Sequence, residues 1–573
     1  MMAGGRLNQS IAFDGERQAN FRMMRGRLSI LSICFMLVYA VVFVRMIELT
    51  VVQGTIPHLK SDPVEEKQVP IITARRGNIY DRNGFLLATT IKAPSVYVDP
   101  SLVLNHQKML VDLKRILPKL NVNKTQKVLA GAGRFGWIAH AITPQQQKQI
   151  LALGEPALGF QYQYSRIYPQ GNLFAHAVGY TKRDGLGLSG IERGYDDVLS
   201  RGDDVNATLD LRLQHVVKRE VSKAMKEFDA IAGTGVIIDA HTGEVLAGVS
   251  LPDFDLNQAG EASENEIFNR LTLGVYELGS MFKIFSTAAM IELEGAPMDE
   301  AFDARKPLKI GWHKIRDYHA KKRILNMPEV FMYSSNIGSA LMGQKIGATA
   351  LKAFYSDLGL LKKMSLDIKE IGQPLSPQKW TEGTTMTASY GHGLATTPLQ
   401  MAAATATIIN GGYITIPHFG KKKTNDVRVK ILRDETSEKM KKLLRLVVMK
   451  GTGKNAELVG MEIGGKTGTA EKSINGRYQE DKLISSFVGA FPMRDPRYVV
   501  MVAIDEPKGN KKSHGYATAG WVAAPAFKNI VGSMVSILGL TSDGYSLETD
   551  IALDLMPYID RPTQERKHLA SFE

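Results

Sequence analysis

Three short patterns in the second half of the chain carry side chains that can do nucleophilic chemistry: Ser280-Met-Phe-Lys283, Ser334-Ser-Asn336 and Lys466-Thr-Gly-Thr469. A serine hydroxyl is a poor nucleophile until a neighbour takes its proton, and a neutral lysine can do so. On a helix, a lysine three residues after a serine lies one turn further along the same face. That lysine must first lose its own proton, and moving an amine from ~10.4 to ~7 requires about 4 kcal/mol against its charged form. Burial beside Phe282 and Phe285, with Lys466 as a second cation, is a physical route to that shift. Ser280 follows Gly279 and opens an apolar run. Its backbone N–H therefore belongs at a helix N-terminus, where one donor to a developing oxyanion contributes ~3 kcal/mol.

Each pattern alone also has an ordinary reading. Ser280 could be an N-cap, Ser334 and Asn336 an N-cap pair before Ile337 to Ile346, and Lys466 a surface lysine in a turn. The same spacings recur in Ser376-Pro-Gln-Lys379 and Ser473-Ile-Asn475, and Ser376 is followed by proline and precedes no apolar helix. Taken in order, the three patterns point to a Ser/Lys acyl-transfer site. A competing motif, Gly460 to Thr467, fits the phosphate-loop pattern with its Lys466-Thr467 ending. That loop must open a helix, and Gly468 and Asn475-Gly476 break any helix there, so nucleotide hydrolysis is rejected. The 12 histidines are scattered and the single cysteine, Cys34, can build neither a thiolate site nor an intramolecular disulfide. No metal and no cofactor is expected. Nucleic acid is not expected either, because aromatics (8%) do not interleave with basic runs such as Lys421 to Lys423.

The elements that must position these groups follow from pattern. At 573 residues, 44% hydrophobic and 23% charged, with 53 Gly and 23 Pro, the chain is globular and large enough for several domains. Residues 28–44 are uncharged, and counting Arg45 as able to snorkel extends the run to 28–47, long enough for a membrane anchor. Arg6, Arg17, Arg22, Arg25 and Arg27 outweigh Asp14 and Glu16, which keeps residues 1–27 cytoplasmic and the rest outside. A cleaved signal peptide is disfavoured because Arg45-Met-Ile-Glu48 stands where a small-x-small site belongs. Residues 48–74, with Gly54, Pro57, Pro63 and Pro70, read as a linker. An α+β domain is expected over 75–228 and a second over 229–545, with a loose tail at 546–573. The second domain begins with a hairpin, residues 232–239 and 244–250, and has Ile284 to Leu293 as its central buried helix. Leu483 to Ala490 and Tyr498 to Asp505 must be antiparallel, since Pro492 to Arg497 is too short for a crossover. The net charge of +13 suits an acidic lipid surface or cell-wall polymer as neighbour.

With these residues in place, the chain resembles a class B penicillin-binding protein of the division-specific kind, a peptidoglycan D,D-transpeptidase. The resemblance is carried by Arg75-Arg-Gly-Asn-Ile-Tyr-Asp-Arg-Asn-Gly84, Arg166-Ile-Tyr-Pro169, Gly187-Leu-Ser-Gly-Ile-Glu192 and Leu209-Asp-Leu-Arg-Leu-Gln214. It continues through Pro252-Asp-Phe-Asp255, Gly391-His-Gly393, Thr397-Pro-Leu-Gln400 and Gly520-Trp-Val-Ala-Ala-Pro525. It implies an antiparallel sheet flanked by helices, preceded by an elongated α+β pedestal of the dimerisation type and one transmembrane helix. It also implies that Ser280 attacks the D-Ala-D-Ala end of a peptidoglycan stem peptide and that an amine of a neighbouring stem takes the acyl group. Lys283 would be the base, Ser334 a proton relay, and Asn336 a partner of Lys283 and the substrate amide. Lys466, Thr467, Gly468 and Thr469 would bind the substrate carboxylate, and the N–H groups of Ser280 and Thr469 would form the oxyanion hole. β-Lactams would acylate Ser280 as mimics. A SEDS-family glycosyltransferase and other division membrane proteins are the implied partners, at the bacterial inner membrane with the catalytic domain periplasmic. The family usually has Pro-Gly-Ser-Thr around the nucleophile. Leu278 and Met281 depart from this, and the expected consequence is an altered pocket rim. Elongation-type transpeptidation, hydrolysis by a D,D-carboxypeptidase or β-lactamase, and a β-lactam sensor are the competing readings.

Overall fold

The computed structural model describes residues 33–46, 75–311, 313–421, 428–474, 477–541 and 547–559. The chain divides into two units, Met1–Val69 and Pro70–Glu573. In the first, residues 33–46 are helical and exposed along their whole length. Among the described residues no helix is long and apolar enough to cross a membrane. Residues 28–32 and 47 of the expected anchor, the segment 1–27 and the linker 48–74 lie outside the described residues.

The second unit begins with a five-stranded sheet: β1 (Ile79–Tyr80), β2 (Leu86–Val98), β3 (Gly136–Ala139), β4 (Leu158–Ile167) and β5 (Val205–Asn206). Its order is β3-β2-β1-β5, with β4 also on β2; β1 and β5 are parallel and the other pairs antiparallel. The long strand β2 pairs with β4 from Thr89↔Ile167 to Val98↔Leu158. Over its far end packs the helix His106–Ile116, capped by Asn105, whose Met109, Leu110, Leu113 and Ile116 form one buried stripe against Val96 and Val98.

At the near end of this sheet, three of the sequence signatures converge on one buried carboxylate. Arg76 Nε and Arg166 Nε each lie 2.7 Å from a different oxygen of Glu192, and all three side chains are almost wholly withdrawn from water. Arg76 Nη1 also pairs with Asp196 and its Nη2 donates to the Glu192 carbonyl, while Arg166 Nη1 donates to the Gly77 carbonyl and its Nη2 is buried without a hydrogen-bond partner among the described residues. A second knot joins the opening signature to the later one: Asp81 Oδ2 accepts from the Leu211 N–H and Asn83 donates to Asp210.

The catalytic-type domain is built on a fully antiparallel sheet of β6 (Ala232–Asp239), β7 (Val245–Leu251), β8 (Gly464–Ile474), β9 (Arg477–Phe491) and β10 (Tyr498–Asp505), in the order β8-β9-β10-β6-β7. Helices cover both faces, so the inner strands are continuous apolar runs with no alternation, as Val499 to Ile504 shows. The helices that bear on the site are α1 (Leu211–Glu227), α2 (Lys283–Glu294), α3 (Asn336–Ile346), α4 (Pro398–Ile409), α5 (Asp434–Lys450) and α6 (Ala523–Leu538). One face buries Val217 and Val221 of α1 with Phe527 and Ile530 of α6. The helix α1 thus packs on this sheet although it precedes residue 229. The other face buries α2, α4 and α5, and α2 is enclosed from Lys283 to Ile291 before ending at Gly295 with φ +62°.

The tail expected to be loose is not so over residues 547–559. Asp550 is buried and pairs with Arg445 of α5 at 2.7 Å, and Leu555 packs into the core. The physical reason lies in Arg445, whose side chain has no exposure and needs a buried counter-ion.

Removing the carboxylate that two buried arginines share should be costly. Glu192→Ala is expected to destabilise the chain by about 3–5 kcal/mol in urea denaturation, whereas Arg115→Ala, which breaks an exposed pair with Asp112, should change it by about 0–1 kcal/mol.

Candidate active site

Ser280 stands on one 3-10 turn, Gly279–Phe282, that runs directly into α2. Two glycines make room for this turn. Gly279 has φ +52°, and a Cβ on it would lie 3.0 Å from the Thr469 carbonyl oxygen; a Cβ on Gly391 would lie 2.2 Å from the Gly279 carbonyl oxygen. The turn is therefore wedged between residue 391 and the edge strand β8. Leu278 and Met281, expected to shape the rim, are both fully buried, and Met281 packs against Gly468 and Ser486 beneath β8. They belong to the core because the side chains flanking Ser280 on the turn point inward, away from the cleft.

Lys283 begins α2 and its side chain has no exposure to water. Its Nζ lies 2.7 Å from the Ser334 carbonyl oxygen, 2.7 Å from Asn336 Oδ1, 3.0 Å from Ser280 Oγ and 3.1 Å from Ser334 Oγ. Asn336 Nδ2 donates to the Arg316 carbonyl, which fixes Oδ1 toward the lysine. The two closest partners can only accept, and the other two are hydroxyls that can donate. A neutral amine fits this arrangement: its two N–H groups serve the carbonyl and Oδ1, and its lone pair faces the Ser280 hydroxyl.

Burial, and next the like charge of Lys466, hold the Lys283 amine well below the ordinary lysine range, with Asp317 opposing them. Lys466 is equally buried, in mid-strand on β8, and burial pushes it down to about 7. Its Nζ lies 2.9 Å from Ser334 Oγ, so that hydroxyl bridges the two amines. Ser334 is placed there by a local break: the helix Met327–Met332 ends, Ser334 takes φ +59°, and Ser335 caps α3 by accepting from the Gly338 N–H. The expected N-cap pair is thus neither Ser334 nor Asn336, but the residue between them.

The third pattern lies on the edge strand of the sheet, β8, where residues 466–468 are buried. Thr469 turns its carbonyl toward Gly279, and a strand residue's N–H and C=O point to the same side. The Thr469 N–H therefore faces the turn that carries Ser280, whose own N–H opens a helix and lacks an intrahelical acceptor. The Ala519 N–H donates to Thr469 Oγ1 at 3.0 Å, and the Thr467 and Thr452 hydroxyls meet at 2.7 Å. Ser280, Lys283, Ser334, Asn336 and Lys466 are thus joined by hydrogen bonds where α2, α3 and β8 meet, with Gly468 and Thr469 against the Ser280 turn and Thr467 between Lys466 and Gly468. The recurring spacings fall elsewhere: Ser376 and Lys379 lie in a loop outside any helix, and Ser473 lies in β8 beyond the site. In the phosphate-loop look-alike, Gly464 to Thr467 form strand rather than a loop opening a helix.

Two contributors escaped sequence reasoning. Asp317 accepts from Ser335 Oγ and the Ile337 N–H, and its charge acts on Lys283. Thr452 holds the Thr467 hydroxyl. Neither sits at a fixed distance from a motif, so no spacing could have found them.

Below its pKa Lys283 is an ammonium and cannot take the Ser280 proton, so acylation of Ser280 by an activated ester should rise with pH and level off well below 10.5. Lys466→Ala removes a like charge and should move the rising limb to higher pH. Asp317→Asn removes an opposite charge and should move it to lower pH, both read from acylation rate against pH.

Residues 233–532 match the penicillin binding protein transpeptidase domain, and residues 71–226 match the penicillin-binding protein dimerisation domain. The chain is 37% identical over 487 residues, 82% of each chain, to a probable peptidoglycan D,D-transpeptidase FtsI of Caulobacter vibrioides. It is 28% identical over 564 residues, 92% of this chain and 94% of the other, to the peptidoglycan D,D-transpeptidase FtsI of Escherichia coli. Among solved structures, penicillin binding protein 3 from Mycobacterium tuberculosis, complexed with aztreonam, superposes with a TM-score of 0.65 at 25% identity, covering 82% of this chain and 97% of that one.

Proposed function

This chain belongs to the class B penicillin-binding transpeptidases, and from that premise we propose that it cross-links septal peptidoglycan by serine D,D-transpeptidation through a Ser280 acyl-enzyme. The observation that carries the reading is the buried Lys283 amine, its pKa held well below the ordinary lysine range, within 3.0 Å of the Ser280 hydroxyl and 2.7 Å of two groups that can only accept.

In the first half-reaction Lys283 takes the Ser280 proton as Oγ attacks the carbonyl of the penultimate D-alanine of a stem peptide. The N–H groups of Ser280 and Thr469 receive the oxyanion. Lys466 and the hydroxyls of Thr467 and Thr469 hold the terminal carboxylate, with Gly468 keeping the strand close to the turn. The terminal D-alanine leaves as an amine and takes a proton through Ser334, whose position between Lys283 and Lys466 supports a relay. Asn336 keeps Lys283 oriented and pairs with the substrate amide. In the second half-reaction an amine of a neighbouring stem displaces Ser280 and forms the cross-link. A β-lactam enters as a mimic of the D-Ala-D-Ala end and stays on Ser280.

The same reading assigns residues 75–228 to a pedestal, residues 229–545 to the transpeptidase domain and residues 28–47 to a single membrane anchor with the catalytic domain periplasmic. By the same resemblance, a SEDS-family glycosyltransferase and other division membrane proteins are its partners.

Ser280→Ala should abolish covalent labelling by a fluorescent penicillin, seen as a lost band on a denaturing gel. Label retained at wild-type yield would place the nucleophile elsewhere.

A further inference from the structure

Glu277, His392 and Tyr478 come from three separate segments, meet beside the Ser280 turn, and have no part in the steps above. Glu277 stands three residues before Ser280, so their Cα atoms are within about 10 Å of each other. His392 follows Gly391, the residue whose backbone touches the Gly279 carbonyl. Tyr478 sits where the β8–β9 ribbon runs past the sheet, and its ring lies on His392 with centroids 4.7 Å apart. The Tyr390 ring also stacks on this imidazole, with centroids 6.3 Å apart.

The polar contacts of this cluster are incomplete in one direction. The Tyr478 phenol donates to Glu277 Oε1 at 2.9 Å, and burial, then the Glu277 charge, push its pKa up, so it stays a donor. Glu277 Oε2 faces His392 Nδ1 across 4.0 Å, too far for a direct hydrogen bond. One carboxylate oxygen is therefore filled and the other stands 4.0 Å from the imidazole, in a partly exposed side chain beside the stacked Tyr478, His392 and Tyr390 rings. Glu471 also places its charge on Tyr478, so this rim is acidic in a chain whose net charge is +13. A carboxylate, a ring nitrogen and aromatic faces set together are the chemistry that receives a primary ammonium.

We propose that Glu277, His392 and Tyr478 form the subsite of the acyl acceptor, Glu277 holding its ammonium group and His392 removing the proton that makes it a nucleophile. The inference rests on the Ser280 acyl-enzyme reading and extends it to the second half-reaction. Protons balance: of the three on the acceptor nitrogen, one passes to His392 and on to solvent. The second returns to Ser280 Oγ through Lys283 as the ester C–O bond breaks, and the third remains on the new amide. Such a site also explains how an amine competes with abundant water, since it raises the amine's local concentration and keeps it unprotonated at the moment of attack.

The test follows the fate of one acyl-enzyme. The full-length chain is acylated with a thioester mimic of the D-Ala-D-Ala stem end in the presence of D-alanine as acceptor, and the ratio of aminolysis to hydrolysis products is measured. Glu277→Gln and His392→Ala should each lower that ratio at least ~10-fold, while an acyl-enzyme still forms and is still hydrolysed. A ratio equal to wild type would overturn the assignment. So would equal losses of acylation, hydrolysis and aminolysis, which would mean that the cluster merely supports the Ser280 turn. Absence of any acyl-enzyme in the wild-type chain would instead refute the Ser280 reading itself.

Discussion

A primary amine sealed from water is the constraint around which this structure is arranged. The fold denies Lys283 solvent and places a second buried amine, Lys466, nearby, and both hold its amine well below the ordinary lysine range. That requires α2 to be enclosed on all sides, which in turn requires the sheet beneath it and α4 and α5 beside it. It also requires acceptors that are themselves fixed, and these come from the break between two helices at Ser334. A non-glycine residue at φ +59° is strained by the order of 1 kcal/mol, and here the strained residue supplies both its carbonyl and its hydroxyl to the amine.

The rest of the molecule holds this arrangement in register. Strand β8 must run along the Ser280 turn within van der Waals contact, which Gly279, Gly391 and Gly468 allow. Behind it, Arg445 of α5 binds the Ile463 carbonyl just ahead of β8 and is neutralised by Glu457 and by Asp550 from the C-terminal segment. Residues 547–559 are therefore part of the support for the edge strand. At the far side, Glu192 ties the opening and later signatures of the pedestal together, and the Asp81 and Asn83 contacts connect that knot to α1, one of the two helices under the sheet.

What could be seen in the sequence was whatever depends on local spacing. A serine and lysine three apart before an apolar run, a short joint between two apolar segments, and a glycine after a helix each have one geometric meaning, and α2, β9 and β10 follow it. What stayed hidden depends on partners far along the chain. Nothing local marks Asp317 as the carboxylate beside Ser335, Thr452 as the partner of Thr467, or Asp550 as the counter-ion of Arg445. Leu278 and Met281 misled for the same reason: their neighbours on the chain lie at the cleft, while their own side chains lie in the core.

The claim on which all of this depends is the protonation state of one nitrogen, and neutron diffraction from deuterium-exchanged crystals at pH 8 reads it directly. The account predicts two deuterons on Lys283 Nζ, directed at the Ser334 carbonyl and Asn336 Oδ1, with the Ser280 deuteron pointing at the nitrogen. Three deuterons on Lys283 Nζ, one of them directed at Ser280 Oγ, would contradict it.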